Sequence, residues 1–263
     1  MQQAADPVLK GPWLPTSGAR SQFITATTAF AALAVALAVA FAVATSSKKR
    51  AKRTMPDVLW IHGLGDTGAG WEGAFGPLAN KANFHHPTAP TQGVTFSGGE
   101  RMTSWFDIVT WPIGLEEPEG PEGIDDTVKA IHAKLDAIGD SEKTILGGFS
   151  QGGTVAILAG LSYPKKLAGI VSISGWCAYR ETMAEKVNEA NKATPILLSV
   201  GKGDPIVTFP LTKKSGELLQ SIQIAATGED NVHVIHANRA GHPPGPSEMQ
   251  AAGAFIMSQL GLS

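Results

Sequence analysis

Hydrophobic and polar positions divide the chain into two regimes. Between Arg20 and Lys48 no residue is charged, and residues 26–44 are built mainly from Ala, Val, Leu and Phe, about half of them alanine. As a helix rising 1.5 Å per residue this stretch spans roughly 28 Å, near the hydrocarbon thickness of a bilayer, and predicts a single membrane anchor or targeting segment. From Pro56 onward the pattern changes. Short apolar runs rich in β-branched residues at 58–61, 144–149, 168–173, 196–200 and 232–237 predict strands buried on both faces. Between two of them Ile124, Val128, Ile131, Leu135 and Ile138 recur at steps of four and three, opened by Asp125 and Asp126 and closed by Gly139, which predicts an amphipathic helix. Further helices are expected at 151–161, 211–222 and 247–260, and a loop at 88–99.

Strands alternating with helices predict an α/β fold with a mostly parallel sheet covered on both faces, preceded by one N-terminal hydrophobic helix. The expected division is a polar segment over 1–25, the hydrophobic anchor or targeting segment over 26–44, a basic linker over 45–55 and a folded domain over 56–263. No internal repeat is evident.

Charge alters this picture only locally. The 21 basic and 23 acidic side chains nearly cancel, so no global field favours nucleic acid. Around the apolar segment the balance is uneven: Lys48, Lys49, Arg50, Lys52 and Arg53 follow it, whereas only Lys10 and Arg20 precede it. That asymmetry predicts a membrane-anchored protein whose folded domain faces the cytoplasm. Ala42-Val43-Ala44 also suits a signal peptidase, and the Ser- and Thr-bearing, acid-poor start suits an organelle transit sequence, so a cleaved segment is the alternative. Gln2 and the Gly-Leu-Ser end signal neither myristoylation nor prenylation. Cys177 is the sole cysteine, which excludes an intrachain disulfide, and no Cys/His spacing suggests zinc; no metal or cofactor is expected.

Gly148-Phe149-Ser150-Gln151-Gly152 matches G-x-S-x-G and stands between a predicted strand and a small-residue helix. A nucleophilic serine needs that sharp turn, and its glycines leave room for it. The alternative is an ordinary glycine-rich strand-to-helix turn. A serine hydroxyl also needs an imidazole to take its proton and a carboxylate to hold the imidazole. Asp204 follows the strand over 196–200 through Gly201-Lys202-Gly203, where an open sheet presents groups at its carboxyl edge. Asp125, Asp126, Asp136 and Asp140 sit on or beside a solvated helix. His242 lies in a Gly- and Pro-rich loop after the last strand, while His233 and His236 fall within that strand and His85, His86 and His132 have no motif. The chain order Ser150, Asp204, His242 is that of the α/β-hydrolase fold. Its oxyanion donors are expected from the backbone amide of Gln151 and from His62-Gly63-Leu64-Gly65-Asp66, best Leu64. Leu64 and Trp176 are the acyl-site candidates, although large apolar residues more often pack in a core; Cys177 reads as a small buried hydrophobe.

Residues 56–263 resemble the acyl-protein thioesterase, carboxylesterase and lysophospholipase family. The resemblance rests on Ile61 to Gly68 with Trp71, on Thr103-Ser104-Trp105-Phe106-Asp107-Ile108, on Gly147 to Gly153, and more weakly on Gly201 to Val207 and on Gly241-His242 with Glu248. It implies a serine hydrolase without metal or organic cofactor, with the triad on Ser150, Asp204 and His242. Implied substrates are S-acylated proteins, lysophospholipids or small acyl esters. Two departures stand out: Ser199-Val200-Gly201 where the family often has His-Gly, and the stiff Pro243-Pro244-Gly245-Pro246. A general carboxylesterase is the rival among enzymes, and a membrane-tethered, catalytically dead hydrolase scaffold the rival outside them.

Overall fold

The computed structural model of the chain describes residues 55–263. The polar segment 1–25, the apolar segment 26–44 with its expected N-terminal helix, and 45–54 of the basic linker lie outside the described residues. Six strands form one parallel sheet in the order β2 (Asn83–His85), β1 (Asp57–Ile61), β5 (Thr144–Phe149), β6 (Gly169–Ile173), β7 (Ile196–Gly201) and β8 (Val232–Ala237). The register pairs Ile61 with Gly148, Phe149 with Ile173 and Gly201 with Ala237, so the carboxyl ends of these strands open onto one edge. That edge is where an open α/β sheet presents its functional loops.

Period-two alternation assigns the two faces. On β1, Leu59 and Ile61 pack with Ile131 and Leu135 of α1 (Ile124–Ile138), Val155 of α2 (Gln151–Ser162) and Leu211 and Leu219 of α4 (Phe209–Thr227). Val58 and Trp60 face the other way, onto Ala252, Phe255 and Ile256 of α5 (Pro246–Gln259). A short helix, α3 (Met183–Lys186), lies between β6 and β7. The predicted stripe on α1 is the buried one, and Gly139 at φ 99° ends it.

Three local differences have physical causes. The helix expected at 211–222 begins at Phe209, because Pro210 falls in the first turn where no N–H is needed, and runs on to Gly228 in the left-handed conformation. The stretch 88–99 is not all loop: β3 (Thr91–Val94) pairs antiparallel with β4 (Glu100–Thr103) through a turn with Gly98 and Gly99 at positive φ. The edge strand β2 is three residues long and partly polar, so it carries no apolar run to read.

The expectation of a membrane-anchored protein with its folded domain facing the cytoplasm is corrected. Among the described residues no helix is long and apolar enough to cross a membrane. The longest, α4, carries Lys213, Lys214 and Glu217. The stretch that prompted the expectation matches a bilayer in length, but its many alanines contribute little transfer free energy each.

Candidate active site

Ser150 stands where β5 passes into α2, with φ 55° and ψ −121°, a backbone conformation that L side chains rarely adopt. Space explains the flanking glycines. A Cβ on Gly148 would lie 2.3 Å from the Gly152 carbonyl oxygen, and one on Gly152 would lie 2.2 Å from that of Ile61. The Ser150 N–H donates to the Ile173 carbonyl at 2.8 Å, tying the turn to β6.

The three side chains singled out in the sequence meet here. His242 Nε2 lies 2.8 Å from Ser150 Oγ, and its Nδ1 lies 2.8 Å from Asp204 Oδ2 and 3.1 Å from Oδ1. Asp204 Oδ1 also accepts the Ile206 and Val207 N–H groups at 2.9 and 3.1 Å. Burial acts to raise the Asp204 carboxyl, but the His242 hydrogen bond, the Ile206 amide, the imidazole charge and the Val207 amide together outweigh it and hold the group below its ordinary value. The carboxylate therefore stays ionised and fixes the imidazole with Nδ1–H toward it, which turns the Nε2 lone pair to the Ser150 hydroxyl. The Phe149 ring packs against the imidazole with centroids 4.8 Å apart.

The loop leaving β1 reaches the same place: a Cβ on Gly63 would lie 3.3 Å from Ser150 Cβ. His62 orders this loop. It is fully buried, its Nε2 accepts the Ala89 N–H at 3.0 Å, and so its Nδ1–H is the donor to the Gly63 carbonyl at 2.7 Å. Burial pushes the imidazole below its ordinary value, against the smaller opposing effects of the Gly63 hydrogen bond and the Asp66 charge. The amide N–H groups of Leu64 and Gln151 have no acceptor among the described residues, whereas Gly65 N–H goes to the Thr103 carbonyl at 2.8 Å.

Sequence reasoning used only the backbone of Gln151, and its side chain turns out to clamp the site. Oε1 accepts the Trp105 N–H at 2.9 Å, and Nε2 donates to Ser104 Oγ at 2.9 Å and the Phe106 carbonyl at 2.6 Å. The Trp105 indole N–H then donates to the His62 carbonyl at 2.9 Å, so residues 104–106 bolt the serine turn to the β1 loop. Asp107 holds Thr95 through its N–H and hydroxyl. Arg239 was also missed; its only signal was a lone cation three residues before His242 in a loop of Gly and Pro.

The apolar candidates differ in access. Leu64 is half-buried against the core. Trp176 is 1% exposed, edge-on to Phe106, with its N–H on Thr154 Oγ1 at 3.0 Å, so it supports the turn from behind and offers almost no surface. Cys177 is buried, which pushes its thiol up to about 12. Among the described residues no group of three or more His, Cys, Asp or Glu is placed to hold a metal ion.

The model of the phospholipase/carboxylesterase family matches residues 41–260. Acyl-protein thioesterase 1 of Gibberella zeae is 35% identical over 217 residues, covering 77% of this chain and 90% of that protein. A probable carboxylesterase of Oryza sativa subsp. japonica is 33% identical over 183 residues, covering 65% and 67%. The crystal structure of Arabidopsis thaliana SOBER1 superposes with a TM-score of 0.71 at 29% identity, over 78% of this chain and 99% of that one. Likeness of sequence and backbone thus runs through the whole described sheet and both of its faces, and the chain belongs to the phospholipase/carboxylesterase family, within the α/β-hydrolase fold.

Proposed function

We propose that this chain is a serine hydrolase of acyl thioesters and esters, acting chiefly on S-acylated proteins. Above all, the continuous line of hydrogen bonds from Asp204 through His242 to Ser150 supports this. Ser150 Oγ attacks the acyl carbon while His242 Nε2 takes the hydroxyl proton; a C–O bond forms and the carbonyl oxygen becomes negative. The amides of Leu64 and Gln151 are assigned to that oxygen, each worth about 3 kcal/mol in the transition state. Collapse breaks the bond to the thiolate or alkoxide, which receives the proton from His242 and leaves an acyl group on Ser150. Water then attacks, giving its proton to His242, and the second collapse releases the acid and returns the proton to Ser150. Asp204 holds the imidazole in its productive tautomer and stabilises the imidazolium. The cycle closes with the three side chains, the two backbone amides and water.

The acyl-protein substrate follows the relatives named acyl-protein thioesterase 1, at 30–35% identity in the fungi Gibberella zeae and Saccharomyces cerevisiae. Leu64 is the assigned acyl contact, with Trp176 behind the turn. Each buried methylene contributes about 0.8 kcal/mol, so a long chain would dominate binding. Lysophospholipids and small esters present the same carbonyl to Ser150. The relatives named carboxylesterases favour, as a second reading, a preference for small oxygen esters.

A fluorophosphonate probe is expected to label the wild type and not Ser150→Ala. A kcat/KM for a palmitoyl thioester above that for a butyryl oxygen ester supports the thioesterase reading, and the reverse order supports the carboxylesterase. A folded wild type that takes no label overturns both in favour of a binding protein on a dead scaffold.

A further inference from the structure

Arg239 follows β8 and precedes His242 by three residues, and its side chain is 12% exposed. Its guanidinium reaches the loops that follow β6, β7 and β8 and one helix. Nε donates to Glu248 Oε2 at 2.8 Å, Nη1 to Asp204 Oδ2 at 3.3 Å and to the Gly241 carbonyl, and Nη2 to Ser174 Oγ. Glu248, on α5, places Oε1 2.5 Å from Ser199 Oγ on β7 and accepts the Gly245 N–H on Oε2 at 2.9 Å. A Cβ on Gly201 would lie 2.8 Å from Arg239 Cζ, so the guanidinium as placed packs directly against the bare end of β7. Ser199 and Gly201 belong to the segment that departs from the usual His-Gly pattern, and both now have a partner in this cluster.

Two buried carboxylates face one guanidinium here, with the Asp204 and Glu248 side chains 1% and 2% exposed. Buried charges are tolerated when paired, and a guanidinium fork can hold several acceptors in fixed directions where an ammonium cannot. The groups around the His242 ring are few. The serine turn contributes Phe149 and the Ser150 hydroxyl, neither charged; the acid loop contributes Asp204, α5 contributes Glu248 through Arg239, and its own loop contributes Arg239. With imidazole neutral the cluster carries one net negative charge; with imidazolium it carries none.

We propose that Arg239 is a positioning residue for Asp204 and His242, tying together the loops that follow β6, β7 and β8 and offsetting the charge of one of two buried carboxylates beside the imidazole. The proposal rests on the hydrolase reading above. Removing the guanidinium leaves two carboxylates near one imidazole and favours its protonated, inactive form; removing the Glu248 charge does the opposite.

Kinetics of wild type, R239M, E248Q, R239M/E248Q and R239K against a soluble ester test this, alongside the low-field proton NMR signal of the His242 Nδ1–H followed with pH. R239M should move the acid limb of kcat/KM upward by about one pH unit, E248Q should move it downward, and the double variant should return it toward wild type. R239K should leave the limb near its wild-type place while lowering kcat about tenfold, because the charge stays and the fork is lost. Losses of activity that track melting temperature, with the limb unmoved in both single variants, overturn the proposal. E248Q alone decides the sign if R239M does not fold: an unmoved or upward limb overturns it. The NMR titration separates the two readings. A folded wild type without turnover sinks the hydrolase, whereas an active wild type whose NMR and kinetic limbs ignore both substitutions sinks only the role of Arg239.

Discussion

Replacing His62 by alanine isolates the positioning of the Leu64 amide, the proposed oxyanion donor. In the native chain Nδ1–H holds the Gly63 carbonyl at 2.7 Å and Nε2 holds the Ala89 N–H at 3.0 Å, both in a fully buried setting. Carbonyl and N–H of one trans peptide point in opposite directions, so pinning the Gly63 oxygen aims the Leu64 N–H away from His62. Alanine frees that peptide and strands the Ala89 N–H. Two lost hydrogen bonds at about 1 kcal/mol each, with an unsatisfied donor at about 1–3 kcal/mol, amount to about 3–5 kcal/mol, which a domain of ordinary stability survives. The catalytic loss is separate: one misdirected oxyanion donor costs about 3 kcal/mol, or 10²–10³ in kcat, with KM little changed because the ground-state carbonyl carries no charge. Steady-state hydrolysis of a chromogenic ester beside thermal melting separates the two effects. A lowered melting temperature with kcat within about threefold of wild type would refute the link between His62 and the donor. The pH dependence has a defined sign. His62 is held below its ordinary 6.5 by burial, so its stabilising contribution is present above that value and lost as pH falls through the folded one; His62→Ala should lack this acid-dependent loss.

Cys177, with its thiol pushed up to about 12, should resist a disulfide reagent at pH 8 in the native protein and react only on unfolding. Folding favours its neutral form, so its contribution is whole below the unfolded thiol's range and is lost as pH climbs toward 12; fast native labelling would contradict this burial. Asp204→Asn should lower kcat by about 10⁴, since an amide holds the wrong imidazole tautomer. The folded Asp204 carboxyl lies below its ordinary 3.8, so wild type should also lose stability as pH drops through that region, an increment that denaturant titrations should not find in Asp204→Asn.

Much of the frame is legible along the chain because it depends on neighbours within one element. Apolar runs mark five of the six sheet strands, the four-three spacing marks the face of α1, and glycines around Ser150 mark a turn too tight for side chains. The candidate triad could be picked out because each member lies in the turn or loop that follows a strand, Ser150 directly after β5, Asp204 beyond β7 and His242 beyond β8. β2 escaped, since a three-residue edge strand is defined by its partner β1 rather than by its own pattern. The membrane expectation came from the apolar stretch 26–44, which lies outside the described residues, and no helix among the described residues is long and apolar enough to cross a membrane.

What the sequence by itself determined was therefore the alternating framework, the parallel sheet and the choice of Ser150, Asp204 and His242, which the fold brings within hydrogen-bond distance of one another. Only the tertiary structure decided that the Gln151 side chain joins the serine turn to residues 104–106, that a neutral His62 aims the Leu64 peptide, and that Arg239 serves Asp204 and Glu248 at once. These contacts join residues from separate elements, some more than 30 positions apart. Periodicity carries no record of them, because side-chain direction and burial at the sheet edge are set by how strands and helices pack together.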